Sequence, residues 1–396
     1  MRTEANGLVL KKQRGVALIM AMMIVALIAV VATELSWRFE LSMSRSGNRW
    51  AGIQARAYLE GAEQGAIALL RLDEDDTTLK ESDHTGEIWA APQQFPDEGN
   101  MIEVVMFDAH GRFNINMLKD KPPCNSPNPP SGTQSCMGAG ACTRFTQQQH
   151  AFIRLLQTFD ISREEDEGPI FLPQDQAEGI TEAVIDWLDA DSIITGFGGA
   201  ESDHYESLEP KATIANDEMV SVSELQVMRG MLPQLYRQLL PNIIALPLVD
   251  VKTVNIQTAT VNVLRSIKPF DTNNPAACDL LPFDEQTGAR LESFIREAGE
   301  EGYPAIKNIK DAPNLPAEWG ASAGQSDLLD GAGIYSVGQS NYFILNSTIY
   351  IGDAYVRRGI SLLKRDTSGQ SQGGQQGTGS NAGITIEVVR RTDANF

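Results

Sequence analysis

The residues with the clearest potential for chemistry form an acidic stretch near the middle of the chain. Asp186, Asp189 and Asp191 precede a glycine-rich turn, and Glu201 and Asp203 follow it. Calcium takes six to eight oxygen ligands, mostly carboxylates and backbone carbonyls on a flexible loop. Asp189, Asp191, Glu201 and Asp203 are therefore candidate Ca²⁺ ligands, with Asp186 as a weaker candidate. The spacing is not that of an EF-hand, and a solvated acidic helix end is the alternative.

A second pattern is typical of helix-hairpin-helix units. Gly230 lies between apolar residues in the segment Leu225–Tyr236, and Asn255–Leu264 resembles the start of a second, degenerate unit. Such units often hold the DNA backbone through hairpin amides and nearby basic side chains. The charged residues around this segment do not form a basic patch: Glu218, Glu224, Arg229 and Arg237. The pattern therefore predicts a structural helical module for protein contact.

The four cysteines are Cys124, Cys136, Cys142 and Cys278. Their spacing is not Cys-x-x-Cys, and no histidine follows at zinc-finger distance. In an oxidising compartment they are disulfide candidates, and four cysteines allow three pairings among which the sequence does not choose.

Composition excludes several classes of function. The 396 residues include 32 Lys+Arg against 52 Asp+Glu, so the net charge is −20. This acidity argues against a nucleic-acid surface, because such binding depends on basic residues that neutralise phosphates. The sequence contains no Gly-x-Ser-x-Gly elbow, no Walker loop and no His-Glu-x-x-His motif. We therefore expect a protein that is not an enzyme, and a secreted hydrolase has no motif to support it.

The first structural element that the sequence predicts is an apolar N-terminal segment. Val16–Thr33 is an uncharged run of 18 residues, which falls within the ~17–25 that a bilayer-spanning helix needs. A secretory signal has a shorter apolar run of about 7–15 residues. Basic residues precede the run, so the positive-inside rule places the N-terminus in the cytoplasm and the bulk of the chain across the membrane.

The helical pattern continues beyond the apolar run. No proline occurs before Pro92, and residues 34–72 keep apolar side chains at helical spacing. One helix from about 16 to 72 would be roughly 80 Å long. Its first third would lie in lipid and its last third would pack on a domain, with a possible kink at Gly47 and Asn48.

These features resemble the type IV pilin-like proteins, which share a short basic leader ending in Gly and an apolar helix directly after it. Lys11-Lys-Gln-Arg-Gly15 followed by Val16 matches that pattern. The resemblance implies cleavage by prepilin peptidase between Gly15 and Val16, and methylation. Val16 stands where the family usually has Phe, and Met20 where it usually has Glu. The missing Glu points to the minor pseudopilins of the general secretion pathway protein K family.

The resemblance covers nearly the whole chain, and downstream it is most specific at Asp186–Asp191 and Val222–Gly230. It implies an α+β protein: a type IV pilin-like fold, with a long N-terminal helix packed on an antiparallel sheet, and a large inserted α-helical domain. It also implies Ca²⁺ binding in the acidic loop.

The expected organisation is a leader at 1–15, a transmembrane and amphipathic helix at 16–72, the first part of the sheet domain at 73–118, an inserted helical domain with hairpin units at 119–332, and C-terminal strands at 333–396 with a flexible linker at 368–383. Helices are predicted at 146–160, 174–189, 221–243 and 286–298. Strands are predicted within 101–116, with a turn at His110-Gly111, and at 342–351, 354–363 and 384–389.

The function implied is that of a minor pseudopilin at the tip of a type II secretion pseudopilus, which assembles for export of folded proteins across the outer membrane. A tip subunit has no neighbour above it, which suits the missing Glu at position 20. The face expected to contact other subunits comprises Leu35, Phe39, Ala51, Ala55, Tyr58, Ala62 and Ala66.

The implied partners are the other minor pseudopilins of the tip complex, the major pseudopilin, prepilin peptidase and the inner-membrane secretion platform, with exported substrates and the secretin as further candidates. Nucleic acid is not expected. The chain would cross the inner membrane once, with its C-terminal bulk in the periplasm. The alternative is a membrane-anchored helix-hairpin-helix DNA receptor of a competence-type system.

Overall fold

The computed structural model describes residues 15–75, 82–119, 144–162, 167–268, 279–297, 302–303, 309, 315–316, 335–336, 338–352, 355–366 and 384–392. The predicted leader before Gly15, the linker at 368–383 and all four cysteines lie outside the described residues.

The chain folds into one long helix, a sheet and a region of short helices. The helices are α1 Val16–Asp75, α2 Gln147–Leu156, α3 Gln174–Leu188, α4 Ser202–Glu206, α5 Pro233–Leu239, α6 Val261–Ser266 and α7 Glu285–Arg296. The strands are β1 Gln93–Asp97, β2 Asn100–Asp108, β3 Phe113–Asn114, β4 Ile243–Ile244, β5 Val254–Asn255, β6 Tyr335–Ser336, β7 Tyr342–Ile351, β8 Tyr355–Asp366 and β9 Thr385–Thr392.

The long helix α1 begins at the residue after Gly15 and has 60 residues, a length of roughly 90 Å. It continues through Gly47 and Asn48 without interruption. Among the described residues it is the one helix long and apolar enough to cross a membrane, and none of its most apolar window is buried in the protein. The apolar run is thus available to lipid along its whole length.

Five strands form an antiparallel sheet in the order β1-β2-β7-β8-β9. The C-terminal part of α1 packs on this sheet through Ala66, Ile67 and Leu70, which share a core with Trp89 and Phe343. Apolar side chains at every third or fourth position place one face of the helix against the sheet.

Successive contacts between α1 and β8 occur in the same order along both elements. A Cβ on Gly52 would lie 3.3 Å from the Tyr355 hydroxyl, and a Cβ on Gly359 would lie 3.1 Å from Leu59. One turn further, the Ser361 hydroxyl donates to the Glu63 carboxylate at 2.6 Å. The helix and the strand therefore lie side by side and run in the same direction.

One prediction about the first strands is wrong, and one strand was missed. The turn at His110-Gly111 does not join two strands of the sheet, because β3 leaves the sheet and pairs in parallel with β4. The strand that pairs with β2 on its other side is β1, which the sequence prediction missed. The Asp108 side chain accepts from the His110 amide at 2.8 Å, and this turn redirects the chain after β2.

The helical region has its own core, which includes Phe152, Leu188, Leu225, Leu264 and Leu291. Three predicted helices are present, with ends that differ by at most four residues. The stretch 221–243 instead forms a 3₁₀ turn and then α5, because Gly230 has φ +83° and Pro233 starts a new helix. The helix-hairpin-helix unit stays a prediction, since its first element is a 3₁₀ turn.

Candidate functional site

Three of the predicted calcium ligands lie together beyond the C-terminal end of α3. Oxygens of Asp189, Asp191 and Glu201 all lie within 4.8 Å of one another. Oxygens bound to one Ca²⁺ are at most about 5 Å apart, since each lies 2.3–2.6 Å from the ion. Asp189 and Glu201 are buried, and neighbouring buried carboxylates repel unless a proton or a cation compensates them. The group therefore fits a hard cation.

Local hydrogen bonds shape the loop between these ligands. Asp189 ends α3 in an extended conformation, and its carboxylate accepts from the Asp191 amide at 3.1 Å. The Asp191 carboxylate in turn accepts from the Ile193 amide at 2.8 Å. Short side chains that bond the backbone two residues on are typical of turns, so the two aspartates direct the chain as well as offering ligands.

Two carboxylates on α3 hold the rest of the loop. Glu182 accepts from the amides of Phe197 and Gly198 at 3.0 and 2.7 Å, and it forms an ion pair with Arg144. Asp186 accepts from the Thr195 amide at 2.9 Å. Because Glu182 and Asp186 are one helical turn apart, they face the same side of α3. The sequence analysis missed Glu182, although this spacing was a signal for it.

Glycines allow the loop to approach α3 closely. A Cβ on Gly198 would lie 2.2 Å from the Gly179 Cα, and a Cβ on Gly199 would lie 2.3 Å from the Thr195 carbonyl oxygen and 2.4 Å from an Asp186 oxygen. None of these contacts is possible for a larger residue without displacement of the backbone. The glycine-rich turn is therefore a requirement of packing.

The two remaining predicted ligands occupy different environments. Asp186 is buried, and burial raises its pKa to about 6; its bonds to the loop make it a positioning residue. Asp203 lies in the first turn of α4, and its side chain is exposed. The group within 4.8 Å consists of Asp189, Asp191 and Glu201.

The hairpin module, residues 221–239, makes hydrogen bonds to the acidic loop and to α3. The Arg229 guanidinium donates to the Gly199 carbonyl at 2.9 Å. The Glu224 carboxylate accepts from the Trp187 indole at 2.9 Å and from the Ser221 amide at 3.1 Å, and with the Ser221 side chain it forms a capping box. These polar side chains make contacts inside the protein, which suits a structural module.

A second buried group of carboxylates lies where α1 ends. Oxygens of Asp73, Asp83 and Glu87 lie within 4.8 Å of one another, and the buried guanidinium of Arg365 pairs with Asp83 and lies 3.8 Å from Asp73. Burial raises the pKa of Asp83 to about 7 and that of Glu87 to about 9. Arg365 and retained protons thus compensate this group, which joins α1 to β8.

A long helix with an apolar N-terminal segment, packed by its C-terminal part on an antiparallel sheet, defines a protein of the type IV pilin-like class. Residues 111–248 match the family model for type II secretion system (T2SS), protein K. The chain is 30% identical over 365 residues to the type II secretion system protein K of Pseudomonas aeruginosa, and the match covers 90% of each chain. The protein K of Pectobacterium carotovorum is 28% identical over 77% of this chain and 81% of its own.

The fold also resembles a solved structure, a chain in the crystal structure of the GspK-GspI-GspJ complex from enterotoxigenic Escherichia coli. The TM-score is 0.59 at 21% identity, with 88% of this chain and 98% of that chain covered. The chain belongs to the type II secretion system protein K family. It is accordingly a minor pseudopilin, a non-enzymatic component of protein transport, and its N-terminal helix is consistent with a single membrane anchor.

Proposed function

We propose that this chain is the tip subunit of a type II secretion pseudopilus and that it assembles with the I and J minor pseudopilins. The observation that carries the proposal is the likeness, over most of both chains, to a protein solved as a complex with GspI and GspJ. The bulky helical region would stop further subunits from adding above it. The major pseudopilin, the secretion platform, exported substrates and the secretin are the further partners in this proposal.

The proposal includes processing and topology. Prepilin peptidase cleaves after Gly15 and leaves a methylated Val16 at the new N-terminus, from which α1 begins directly. The chain crosses the inner membrane once, with the bulk in the periplasm, where Cys124, Cys136, Cys142 and Cys278 form disulfides. N-terminal sequencing of the mature protein tests the cleavage, and a start near Glu34 would contradict it.

Assembly is tested by copurification. The full-length chain carrying an affinity tag is coexpressed with the I and J proteins of the same secretion system and extracted in detergent. We expect both partners to copurify with one copy of this chain. A chain that copurifies only with further copies of itself, in a ladder of crosslinked species, would be a shaft subunit.

We further propose that the acidic loop binds Ca²⁺ through Asp189, Asp191 and Glu201, with Asp203 as a further predicted ligand. The support is the burial and the mutual distances of the first three carboxylates. Bound to the folded state, the ion would hold the two ends of the glycine-rich loop together. Asp186 and Glu182 would position that loop through its backbone amides.

The calcium proposal predicts a change in thermal stability. A fragment beginning near residue 37–40 should melt at a higher temperature with Ca²⁺ than with EDTA, because an ion that binds only the folded state stabilises it by about 2.7 kcal/mol at a hundredfold excess over Kd. Asp189→Ala with Asp191→Ala should remove the difference, whereas Asp203→Ala tests the exposed carboxylate separately. Identical melting curves with and without chelator would leave the loop as a plain acidic turn.

A further inference from the structure

The glycine-rich part of the acidic loop carries three large apolar side chains that the rest of the chain leaves exposed. Ile193, Ile194 and Phe197 are 73%, 58% and 92% exposed. Isolated exposed apolar residues are ordinary, but three within five positions of one loop form a group of the kind that marks interaction sites. We call Ile193, Ile194 and Phe197 the loop crest.

The backbone that carries the loop crest is held in place. The Phe197 amide donates to the Glu182 carboxylate at 3.0 Å. Thr195, two positions earlier, is 8% exposed, and its amide donates to the Asp186 carboxylate at 2.9 Å. The exposed side chains of the crest therefore stand on a backbone that is fixed to α3. Such a pre-organised surface loses little conformational entropy when it binds a partner.

The surroundings of the loop crest are acidic. Residues 167–210 contain 11 Asp and Glu and no Lys or Arg. Two arginines from other parts of the chain reach the loop, and both have partners within the protein: Arg144 pairs with Glu182, and Arg229 donates to the Gly199 carbonyl at 2.9 Å. A single Ca²⁺ in the loop would offset two of the negative charges and leave the surface acidic. An anionic lipid surface or a nucleic acid would be repelled here, and a positively charged protein surface would be attracted.

The helical region that carries the crest joins the sheet at the end away from the membrane anchor. Leu246 of this region shares a core with Leu362 of β8, and Arg365, near the end of β8, lies 3.8 Å from Asp73 of α1. Asp73 comes forty residues after Thr33, or about 60 Å along the helix axis. A partner of this region therefore approaches from the side away from the inner membrane.

We propose that the loop crest binds a protein on that side which presents an apolar pocket bordered by lysines or arginines. The crest supplies the apolar anchors, of which Phe197 is the most exposed, and the acidic surroundings pair with the basic border. Of the partners in the proposed function, on which this inference rests, we assign the periplasmic part of the secretin. A crest of fixed structure suits a partner of constant structure, whereas exported proteins differ from one another.

Crosslinking tests the assignment of the surface. A photo-crosslinking aromatic residue replaces Phe197 or, as the matched control, Val249, which is 88% exposed in the same helical region. The full-length chain is reconstituted in nanodiscs with the I and J proteins and mixed, in the presence of Ca²⁺, with the purified periplasmic part of the secretin from the same system. We expect the secretin to be labelled from position 197 and only background labelling from position 249.

Affinity for the same secretin part tests the apolar contact. Phe197→Ala should weaken binding by about tenfold or more, as for an aromatic anchor, and Phe197→Leu should restore most of the loss because it stays apolar. Val249→Ala is the matched control and should change affinity by less than about twofold. Since Phe197 is 92% exposed in the free chain, its replacement should leave the melting temperature unchanged.

The acidic surroundings are tested by charge reversal and by salt. Glu206 is exposed in α4, and Glu206→Lys should weaken binding by roughly fivefold. Glu98→Lys, at an exposed position of the turn between β1 and β2, is the matched control and should change affinity by less than about twofold. Raising the salt concentration from about 0.1 to 1 M shortens the screening length from about 10 to 3 Å, so the affinity of the unmodified chain should fall.

Several outcomes would overturn the inference. They are no binding of the secretin part to the unmodified chain, labelling of I or J instead of the secretin from position 197, full affinity in Phe197→Ala, or an affinity that does not fall with salt. Each leaves the proposed function intact if I and J still copurify with the chain. If neither protein copurifies with the unmodified chain, the proposed function fails first.

Discussion

At the scale of single residues, Gly198 is a position where the acidic loop tolerates little change. Gly198→Ala would place a Cβ 2.2 Å from the Gly179 Cα, so the loop must move off α3. We expect a loss of about 1–3 kcal/mol in the free energy of unfolding and a weaker response to Ca²⁺. Chemical denaturation with and without the ion measures both effects.

Gly65→Ala is the matched control. Gly65 lies in α1 with nothing within 4 Å of a built Cβ, so the change should raise stability by about 0.8–1 kcal/mol through helix propensity. A Gly198→Ala protein as stable as the unmodified one would show that the contact with Gly179 does not constrain the loop.

Glu87 should make stability depend on pH. Burial, together with the neighbouring carboxylates of Asp83 and Asp73, raises its pKa from 4.5 to about 9. Between these values the folded state holds a proton that the unfolded chain has released, so stability is fully present below about pH 4.5 and is lost as the pH rises towards 9. The slope is at most about 1.4 kcal/mol per pH unit for one proton.

Glu87→Gln removes this titration, so the free energy of unfolding should vary less between pH 5 and 9 than in the unmodified protein. Glu167→Gln serves as the control, because Glu167 is exposed. Unchanged pH dependence in Glu87→Gln would mean that Glu87 is ionised in the folded state.

Residue types pointed to the acidic loop, but they did not show which carboxylates are candidate ligands and which bond the loop's backbone. The carboxylates and the nearby glycines predicted a cation site at Asp189, Asp191, Glu201 and Asp203, of which the first three lie within 4.8 Å of one another. Which carboxylate bonds backbone amides depends on where the loop folds back, so the roles of Glu182 and Asp186 emerged only in three dimensions. The Asp83–Arg365 pair joins positions 282 residues apart, which no local pattern encodes.

At the scale of elements, one face of α1 is buried within this chain and the opposite face is exposed. The sequence pattern grouped Phe39 with Ala55, Ala62 and Ala66 as one partner-facing stripe. That grouping is wrong for the alanines that are buried against this chain, Ala55 and Ala66. Phe39 lies on the other side of the helix at about 100° per residue and is 66% exposed. Periodicity alone does not separate contacts within a chain from contacts between chains.

Ala55→Trp should therefore destabilise the chain itself. A bulky side chain at a fully buried position forces α1 away from the sheet, at a cost of about 1–3 kcal/mol or more. Gln64→Trp, at an exposed position of the same helix, should have little effect. The measurement is thermal unfolding of each variant without partners, and an unchanged melting temperature in Ala55→Trp would contradict the assigned face.

Long periodic elements were the most predictable. The helix α1, the strands β7 and β8, and three of the shorter helices follow from apolar spacing and capping residues. The two-residue strands β3 and β4 did not, because a pairing that short leaves no period in the sequence. β1 was missed because Pro96 and exposed polar residues hide its pattern.

At the scale of the whole molecule, buried asparagines connect the sheet to the helical region. The Asn114 amide donates to the carbonyls of Leu246 and Val251 at 3.0 Å each, and its oxygen accepts from the Leu246 amide at 3.0 Å. The Asn255 amide donates to the Asp83 carbonyl at 2.8 Å and to the Asp108 carboxylate at 2.9 Å. Both asparagines are 0% exposed.

Asn114→Ala should uncouple the two parts. It leaves buried backbone groups without partners, each at a cost of about 1–3 kcal/mol. We expect calorimetry to resolve two melting transitions in the variant and one in the unmodified protein. Asn346→Ala, on a half-exposed position of β7, is the control. A single transition in Asn114→Ala would place the coupling elsewhere.

The side-by-side course of α1 and β8 has a mechanical consequence. Tension applied to the membrane anchor acts along the helix axis, and therefore parallel to the strand on which the helix lies. The contacts at Gly52, Leu59 and Glu63 would then be loaded in shear and share the load, rather than being peeled apart one after another. When tension acts between the membrane anchor and the rest of the subunit, the helix therefore transmits the force to the sheet while the two stay in contact.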